Sequence, residues 1–146
     1  MGPKVLAIGE LLVEIMRVEV DQPLSEAAAF IGPFPSGAPA IFADAVARLG
    51  VPSGFIGVAG EDAFGDCVVR RLQQDGVDTS AVRRAPGYTT GIAFVSYRHD
   101  GSRTFLFHLR QSAAALLSPH DVDPRQVEGV NYLHVTGSAL SVSDST

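Results

Sequence analysis

Short runs of consecutive apolar residues mark the first part of the chain. Residues 5–8 and 54–59 are two such runs. A strand with one exposed face alternates apolar and polar residues, so uninterrupted runs favour strands that are buried on both faces of a parallel sheet. Residues 11–16 continue the apolar character, whereas the prolines within residues 17–35 predict loops and short edge strands.

Two further segments show the periodicity of amphipathic helices. The first is predicted to begin at Ser36 or Gly37 and to end at Gly50. Its predicted inner face consists of Phe42, Ala45, Val46 and Leu49. The second is capped by Asp62 and ends at Gly76. Its predicted inner face consists of Phe64, Val68 and Leu72.

The resulting order of strand, helix, strand and helix predicts an α/β sheet with right-handed crossovers. The pattern then changes, because residues 89–97 and 103–109 both predict strands, and Asp100-Gly101 between them is a strong hairpin signal. The remaining predicted elements are a short helix over 125–128, a buried strand over 132–136 and a loop over 137–146. No low-complexity tract divides the chain, so we expect a single domain.

Composition and charge narrow the class of protein. Hydrophobic residues make up 46% of the chain and charged residues 18%, which is typical of a packed core. The net charge of −5, with basic residues in pairs and never in a run, argues against nucleic acid or a membrane as a partner. A single cysteine, Cys67, excludes an intramolecular disulfide, and the N-terminus does not match a signal peptide. We therefore expect a cytoplasmic protein.

The two predicted helix starts are the first candidates for chemistry. At 35–40, Gly37 lets a ligand approach the backbone, and the N–H groups of the first turn, from Ala38 onwards, can donate to it. A simple tight turn has the same composition. At 57–65 the glycine spacing matches neither a dinucleotide fingerprint nor a phosphate loop, and Asp62 is a helix cap or a ligand contact. The histidines lack the spacing of metal ligands, so we expect no metal site.

A series of short motifs runs through the whole chain. It consists of Gly9-Glu10 with Glu14, Gly-Ala-Pro-Ala at 37–40, the segments 47–50, 60–65 and 75–78, Thr90-Gly91, the strand hairpin and 112–114. In this order and spacing the motifs resemble the ribokinase-like, or pfkB family, carbohydrate kinases. Arginines in and after the hairpin make the pattern most similar to the ketose and 2-keto-3-deoxygluconate kinases.

The resemblance implies an α/β fold, a truncated ribokinase-like Rossmann-type sheet with helices on both faces and a small β-sheet lid over a sugar site. Residues 1–146 would be the N-terminal part of a single ribokinase-like domain. The lid segments would lie near residues 14–32 and 88–110. The C-terminal half of the domain, which binds ATP, would be absent from this chain.

The resemblance also implies roles for individual residues. Glu14 stands where the family usually has an Asp that accepts hydrogen bonds from sugar hydroxyls. Gly37, followed by Ala38, matches the second glycine of the family's Gly-Gly pair. Arg110 matches an arginine that reaches the sugar from the lid, and His108 stands where such enzymes often have Tyr.

Other family elements are missing. Ile41 stands where the family commonly has a sugar-binding Asn, and an isoleucine can neither donate nor accept. The Asn-x-x-Glu element and the Gly-Ala-Gly-Asp anion hole, which contains the general base, would lie beyond Thr146. Phosphoryl transfer needs both charge stabilisation and a base. We therefore expect ATP and Mg²⁺ for the full-length parent, but no catalytic residue and no bound cofactor in this chain alone.

Three functions remain open from the sequence. In the first, the chain is the sugar-binding half of an ATP-dependent carbohydrate kinase and is inactive alone. In the second, the chain is a non-catalytic sugar-binding or interaction module. A nucleotide-binding α/β domain of another class is less well supported, because the phosphate loops are missing. The expected ligand is a sugar or sugar acid whose identity stays open. The expected protein partner is a second copy, through the lid strands, or the missing half.

Overall fold

The computed structural model describes residues 2–144, which form two four-stranded β-sheets and three α-helices. The strands are β1 Val5–Ile8, β2 Leu12–Arg17, β3 Phe30–Ser36, β4 Ser53–Gly60, β5 Val82–Ala85, β6 Gly91–Tyr97, β7 Arg103–His108 and β8 Tyr132–Val135. The helices are α1 Ala38–Arg48, α2 Ala63–Gln74 and α3 Pro124–Val127, with short 3₁₀ turns at Ala113–Leu116, Pro119–Asp121 and Ala139–Ser141. The predicted loop over 137–146 thus contains a 3₁₀ turn, and its residues 145 and 146 lie outside the described range. Within that range, no helix combines the length and the apolar character needed to cross a membrane.

The first sheet is entirely parallel, with the strand order β5-β4-β1-β8. The apolar runs at 5–8 and 54–59 are confirmed as strands, and they are direct neighbours in this sheet. The apolar pattern does not predict β5, because two of its four residues are Arg83 and Arg84. A short edge strand tolerates such residues, since only its backbone must pair.

Alternate side chains of the two central strands enter two separate cores. On one face, Ala7 and Phe55 pack with α1 and α2. On the other face, Leu6 and Ile56 pack with residues of the 3₁₀ turn Ala113–Leu116. The sheet is therefore covered on both faces, as the uninterrupted apolar runs predict. The two long helices, α1 and α2, lie on the same face of the sheet. The 3₁₀ turn Ala113–Leu116 packs against the other face.

Helices α1 and α2 begin and end close to the predicted positions. The inner face of α2 agrees with the prediction. The predicted inner face of α1 is wrong for Ala45 and Leu49, which are exposed, Leu49 to 83%. Ala40 and Ala43 are buried instead, because small side chains let the helix approach β1 and β4 closely. Leu49 lies at the C-cap, after the last helical residue.

The second sheet has the strand order β3-β2-β6-β7 and mixes parallel and antiparallel pairs. The predicted hairpin of β6 and β7 is confirmed. The two sheets are directly connected, since only residues 9–11 separate β1 from β2, and only Gly37 separates β3 from α1. Buried Arg17 fixes the loop between β2 and β3, donating to the carbonyl oxygens of Pro23 and Ala28 at 2.8 Å each.

Strand β8 lies at the edge of the first sheet. The strand itself is confirmed, but its predicted burial is wrong, because Tyr132 is 72% exposed and Leu133 55%. Within the described residues β1 is its only neighbour. His134 is the residue that turns inward, and its ring stacks on Phe42 of α1 at 3.7 Å between centroids. An apolar edge of this kind is free to pair with a further strand.

Candidate functional site

A cavity of about 540 Å³ lies where the two sheets meet. Its floor is the connection from β1 to β2, and one wall is the junction of β3 with α1. The opposite wall is β7 with the residues after it, and the segment that follows β8 closes one side. In open α/β sheets, ligands bind beyond the carboxyl ends of the parallel strands, and this cavity lies beyond the ends of β1 and β8. Its volume is in the range of small-molecule sites.

Glu10 is a buried carboxylate on the floor of the cavity, with an exposed fraction of 5%. Its Oε1 accepts a hydrogen bond from the hydroxyl of Ser138 at 2.7 Å. Ser138 is held in turn by Thr136, whose Oγ1 lies 2.8 Å from the Ser138 hydroxyl. The other oxygen of Glu10, Oε2, is buried and has no hydrogen-bond partner within residues 2–144. A buried acceptor without a donor is destabilising by about 1–3 kcal/mol, so the structure lacks one hydrogen-bond donor beside Oε2.

Glu14 lies four residues further along, on β2, and is half-buried. It lines the same cavity as Glu10. Its strand is paired on both sides, opposite Phe34 of β3 and Ala93 of β6, and the ladder with β3 shifts register directly after it. Two carboxylates, one buried and one half-buried, therefore face a single cavity.

The start of α1 contributes backbone rather than polar side chains. Gly37 is the N-cap residue, with φ at +106°, and no side chain caps the helix. A Cβ on Gly37 would lie 2.6 Å from the carbonyl oxygen of Glu10, so the packing of the protein itself requires glycine here. Ala38 is exposed at the cavity, and its N–H is one of the donors that a helix start leaves without an intrahelical partner. Ile41 adds an apolar side chain to this wall.

The wall formed by β7 and the residues after it contains two phenylalanines and an arginine. Phe105 and Phe107 line the cavity, with their rings stacked at 5.2 Å between centroids. Arg110 follows them, exposed and without an ion pair in the described chain. His108 does not line the cavity, and its Nε2 lies 3.2 Å from Thr89 Oγ1. Neighbouring residues of a strand point to opposite faces of the sheet. Phe105 and Phe107 therefore share one face, and His108 points to the other.

Four of the five residues that the sequence assigns to a site meet at this cavity. They are Glu14, Gly37, Ala38 and Arg110, and His108 lies outside. Sequence reasoning missed Glu10 and Ser138. An acid at the carboxyl end of a buried strand is a signal that points to Glu10. Ser138 offers no such signal, because its partner lies 128 positions away in the chain.

Asp62, at the start of α2, does not line the cavity, and both of its oxygens are in use. Oδ1 accepts from the N–H of Gly65 at 2.7 Å and from the hydroxyl of Thr90 at 2.8 Å. Oδ2 accepts from the N–H of Thr90 at 2.7 Å. Burial alone would raise the pKa of Asp62, but these hydrogen bonds outweigh it and hold the pKa below its ordinary value. The structure therefore favours the helix cap over the ligand contact.

The charged groups around the cavity do not form a metal centre. Within residues 2–144, no three His, Cys, Asp or Glu side chains are placed to hold a metal ion. The sequence also lacks a glycine-rich loop followed by a lysine, which would bind nucleotide phosphates. What the cavity offers is carboxylate acceptors, backbone donors, aromatic rings and a guanidinium. This set suits a small molecule with many hydroxyl groups.

Comparison with known proteins identifies the family of this chain. The family model of the pfkB family carbohydrate kinases matches residues 3–146. The chain is similar to Fructokinase-1 of Oryza sativa subsp. japonica, with 37% identity over 136 residues. That alignment covers 93% of this chain and 42% of the fructokinase.

The fold matches solved structures equally well. The chain is similar to an E. coli protein provisionally named Ribokinase II in its apo form, with a TM-score of 0.91 and 45% identity, over 94% of this chain and 44% of that one. The same protein in complex with ATP and Mg²⁺ gives a TM-score of 0.90 with 45% identity, over 95% of this chain and 44% of that one. The chain thus spans less than half the length of the relatives it matches. The motifs, the fold and the family match agree along the chain, which belongs to the pfkB family of carbohydrate kinases.

Proposed function

We propose that this chain is the sugar-binding half of an ATP-dependent carbohydrate kinase, which transfers a phosphoryl group from ATP to a hydroxyl of a sugar or sugar acid. The observation that carries the proposal is the cavity in which Glu14, the start of α1 and Arg110 converge. A sugar presents hydroxyls that both donate and accept, on a carbon skeleton with apolar C–H faces. The cavity offers a partner for each of these features.

Each wall has its own part in this proposal. The carboxylate of Glu14 accepts hydrogen bonds from sugar hydroxyls, and hydrogen bonds to a charged acceptor are the stronger kind. The N–H of Ala38, at the positive end of the α1 dipole, donates to a sugar oxygen. The stacked phenylalanines of β7 pack against the C–H faces of the sugar. Arg110 reaches the ligand from the second sheet with a fork of donors.

The second sheet would act as the lid of the site. The lid segments near residues 14–32 and 88–110 fall on strands of this sheet, and one of those strands forms a wall of the cavity. Strand β3 also exposes apolar side chains, with Phe30 at 41% and Ile31 at 51%. Exposed apolar groups on adjacent residues favour an interface. We propose a homodimer through the lid strands, with association to the rest of the protein as the other possibility.

ATP and Mg²⁺ are the cofactors we expect for the complete protein. The residues present here do not fit them, because the described part of the chain holds no metal-binding group and the sequence no phosphate loop. In this proposal the chain supplies sugar binding. The Asn-x-x-Glu element, the anion hole and the general base are expected in sequence beyond Thr146. The share of its relatives that the chain spans, 42% and 44%, supports this division.

A non-catalytic sugar-binding or interaction module is the second candidate. It is favoured by a cavity of about 540 Å³ that is lined by residues of this chain alone. The coding sequence downstream of Thr146 separates the two candidates, since an in-frame Gly-x-Gly-Asp indicates a kinase. For either protein we expect a cytoplasmic location, which the single cysteine favours.

Phosphorylation assays with the complete protein and with residues 1–146 alone test the proposal. We expect ATP-dependent phosphorylation of a sugar by the complete protein and none by residues 1–146. A matching C-terminal half added in trans is expected to restore some activity. Turnover by the purified chain alone, with contaminating kinases excluded, would contradict the proposed division. Sugar binding without phosphorylation by the complete protein would favour the module.

A further inference from the structure

Three side chains form a column along one face of β7. Arg103, Phe105 and Phe107 occupy alternate positions of the strand and therefore share a face. The guanidinium carbon of Arg103 lies 5.3 Å from the centroid of the Phe105 ring. The rings of Phe105 and Phe107 lie 5.2 Å apart between centroids, and their planes are inclined by only 9°. Phe105 thus has a partner on each side along the strand, whereas the column ends at Phe107.

The ring of Phe107 is the end of the column that is open to the cavity. It lines the cavity and is 56% exposed, and within the described residues its ring stacks on Phe105 alone. An exposed side chain keeps its rotamer freedom unless a neighbour restricts it. The stack on Phe105 restricts Phe107, and the guanidinium over Phe105 restricts that ring in turn. A ring that is fixed before a ligand arrives binds it at a lower entropic cost.

The register of the second sheet places Phe107 relative to Glu14. Ala93 of β6 is the partner of Glu14 on one side and of Phe107 on the other. Both outer residues line the cavity, and Ala93 between them is fully buried. The carboxylate and the aromatic ring therefore lie two strands apart on one face, with only a methyl group between them. A sugar held there can donate a hydroxyl to Glu14 and lay a C–H face on Phe107.

We propose that Phe107 is the residue on which the sugar ring stacks, and that Phe105 and Arg103 are positioning residues that hold the Phe107 ring in place. Arg103 does not line the cavity, so its influence on the ligand passes through the two rings. This inference rests on the proposed function and assigns separate roles to the residues of one wall of its site.

Calorimetry and steady-state kinetics on the complete protein test the inference, with D-fructose, D-ribose and D-gluconate as ligands. Phe107→Leu keeps an apolar side chain and removes the ring. We expect affinity for the compound that binds best to fall by about five- to tenfold. KM should rise while kcat stays nearly unchanged, because the stacking contact is the same in the ground state and the transition state. Phe107→Tyr keeps the ring and should stay within about twofold of the wild type.

A double-mutant cycle tests the positioning role. Arg103→Met is expected to lower affinity by about threefold in the wild-type background. In the Phe107→Leu background the same substitution should have no effect, because the ring that Arg103 helps to position is gone. Phe105→Leu is expected to show the same dependence on the background. A merely structural role of either residue would lower affinity equally in both backgrounds.

Leu106→Ala is the matched control. Leu106 lies on the same strand, is 54% exposed and does not line the cavity, so affinity should stay as in the wild type. Melting temperatures show whether each variant folds. If Phe107→Leu does not fold, Phe107→Ile carries the test, because a β-branched side chain suits a strand and also lacks the ring.

The possible failures are distinguishable. A folded Phe107→Leu that keeps its affinity within about twofold overturns the inference. Arg103→Met with no loss in the wild type, or with equal losses in both backgrounds, overturns the positioning role. A wild type that binds none of the three compounds also overturns the inference. In each of these cases phosphorylation of a sugar by the wild type leaves the proposed function standing. A complete protein that binds none of the three and phosphorylates no sugar overturns both.

Discussion

The starts of α1 and α2 are built in opposite ways. The start of α2 carries Asp62, whose carboxylate accepts from the N–H of Gly65 at 2.7 Å and so caps the helix. The start of α1 carries Gly37, and no side chain caps it. Only the uncapped start lines the cavity. At the start of α2 a side chain of the protein occupies the N–H donors, so this start has a structural role. At the start of α1 the N–H donors of the first turn have no side-chain partner and are available to a ligand.

The two acidic residues near these starts show the same difference. Asp62 accepts hydrogen bonds at both oxygens, from Gly65 and Thr90, all within the protein. Glu10 uses one oxygen for Ser138 and keeps the other free. The comparison therefore predicts that substitutions at the α2 start change stability alone, whereas substitutions at the α1 start also change ligand binding.

The largest effect on stability is expected from Gly37→Ala. Its φ of +106° is unfavourable for alanine, and the added Cβ would lie 2.6 Å from the carbonyl oxygen of Glu10. We expect a loss of about 3 kcal/mol in the free energy of unfolding of the complete protein, measured in urea. Gly50→Ala is the matched control, because its φ is +84° but no heavy atom lies within 4 Å of the added Cβ.

The control is expected to lose about 1 kcal/mol, from the backbone strain alone. Equal losses in Gly37→Ala and Gly50→Ala would contradict a close approach of α1 to the floor of the cavity. Sugar affinity should fall in Gly37→Ala and stay unchanged in Gly50→Ala, since of these two glycines only Gly37 lines the cavity.

Asp62→Ala tests the capped start. It leaves the N–H groups of Gly65 and Thr90 without their acceptor, and we expect a loss of about 2 kcal/mol in the free energy of unfolding. Asp62→Asn keeps one acceptor oxygen and should lose less. Sugar affinity is expected to stay unchanged in both variants. A variant that lost affinity but kept its stability would place Asp62 in the site after all.

The pKa of Asp62 gives the capped start a pH dependence. Because hydrogen bonds in the folded state lower this pKa below its ordinary value of 3.8, the carboxylate stabilises the fold above pH 3.8. That contribution is lost as the pH falls through the lowered pKa of the folded state. The difference in unfolding free energy between wild type and Asp62→Asn should therefore be constant around pH 6 and shrink in acid, in urea titrations. A difference that grew in acid would reverse the sign of the shift.

The local sequence pattern was sufficient for the elements that form the centre of the fold. The runs at 5–8 and 54–59 predict buried strands because both faces of a parallel sheet need apolar cover. No such pattern predicts strand β5, because the hydrogen-bond partners of its arginines lie far away in the sequence. Arg83 donates to the carbonyl oxygen of Leu116 at 3.1 Å, and Arg84 to that of Gly60 at 2.9 Å.

The candidate site was predictable only in part for a similar reason. Family resemblance leads to Glu14 and Arg110, which the structure places at one cavity. The orientation of His108 depends on the register of β7, which the motif spacing does not specify. The hydrogen bond to Oε1 of Glu10 comes from a serine 128 positions away, and no local pattern contains that information.

The smallest effect is expected from Arg110→Met, which changes the wall opposite the open helix start. Arg110 is exposed and forms no ion pair within the described chain, so it is free to meet a ligand. For a neutral sugar we expect kcat/KM to fall by less than about threefold, since a solvated guanidinium adds little to a neutral contact. For gluconate the fall should reach about tenfold or more, because a carboxylate binds the guanidinium fork with two charge-assisted hydrogen bonds. Arg98→Met is the control, since Arg98 is exposed in the loop between β6 and β7 and does not line the cavity. An unchanged ratio of the two kcat/KM values in Arg110→Met would reduce Arg110 to a surface residue of the hairpin.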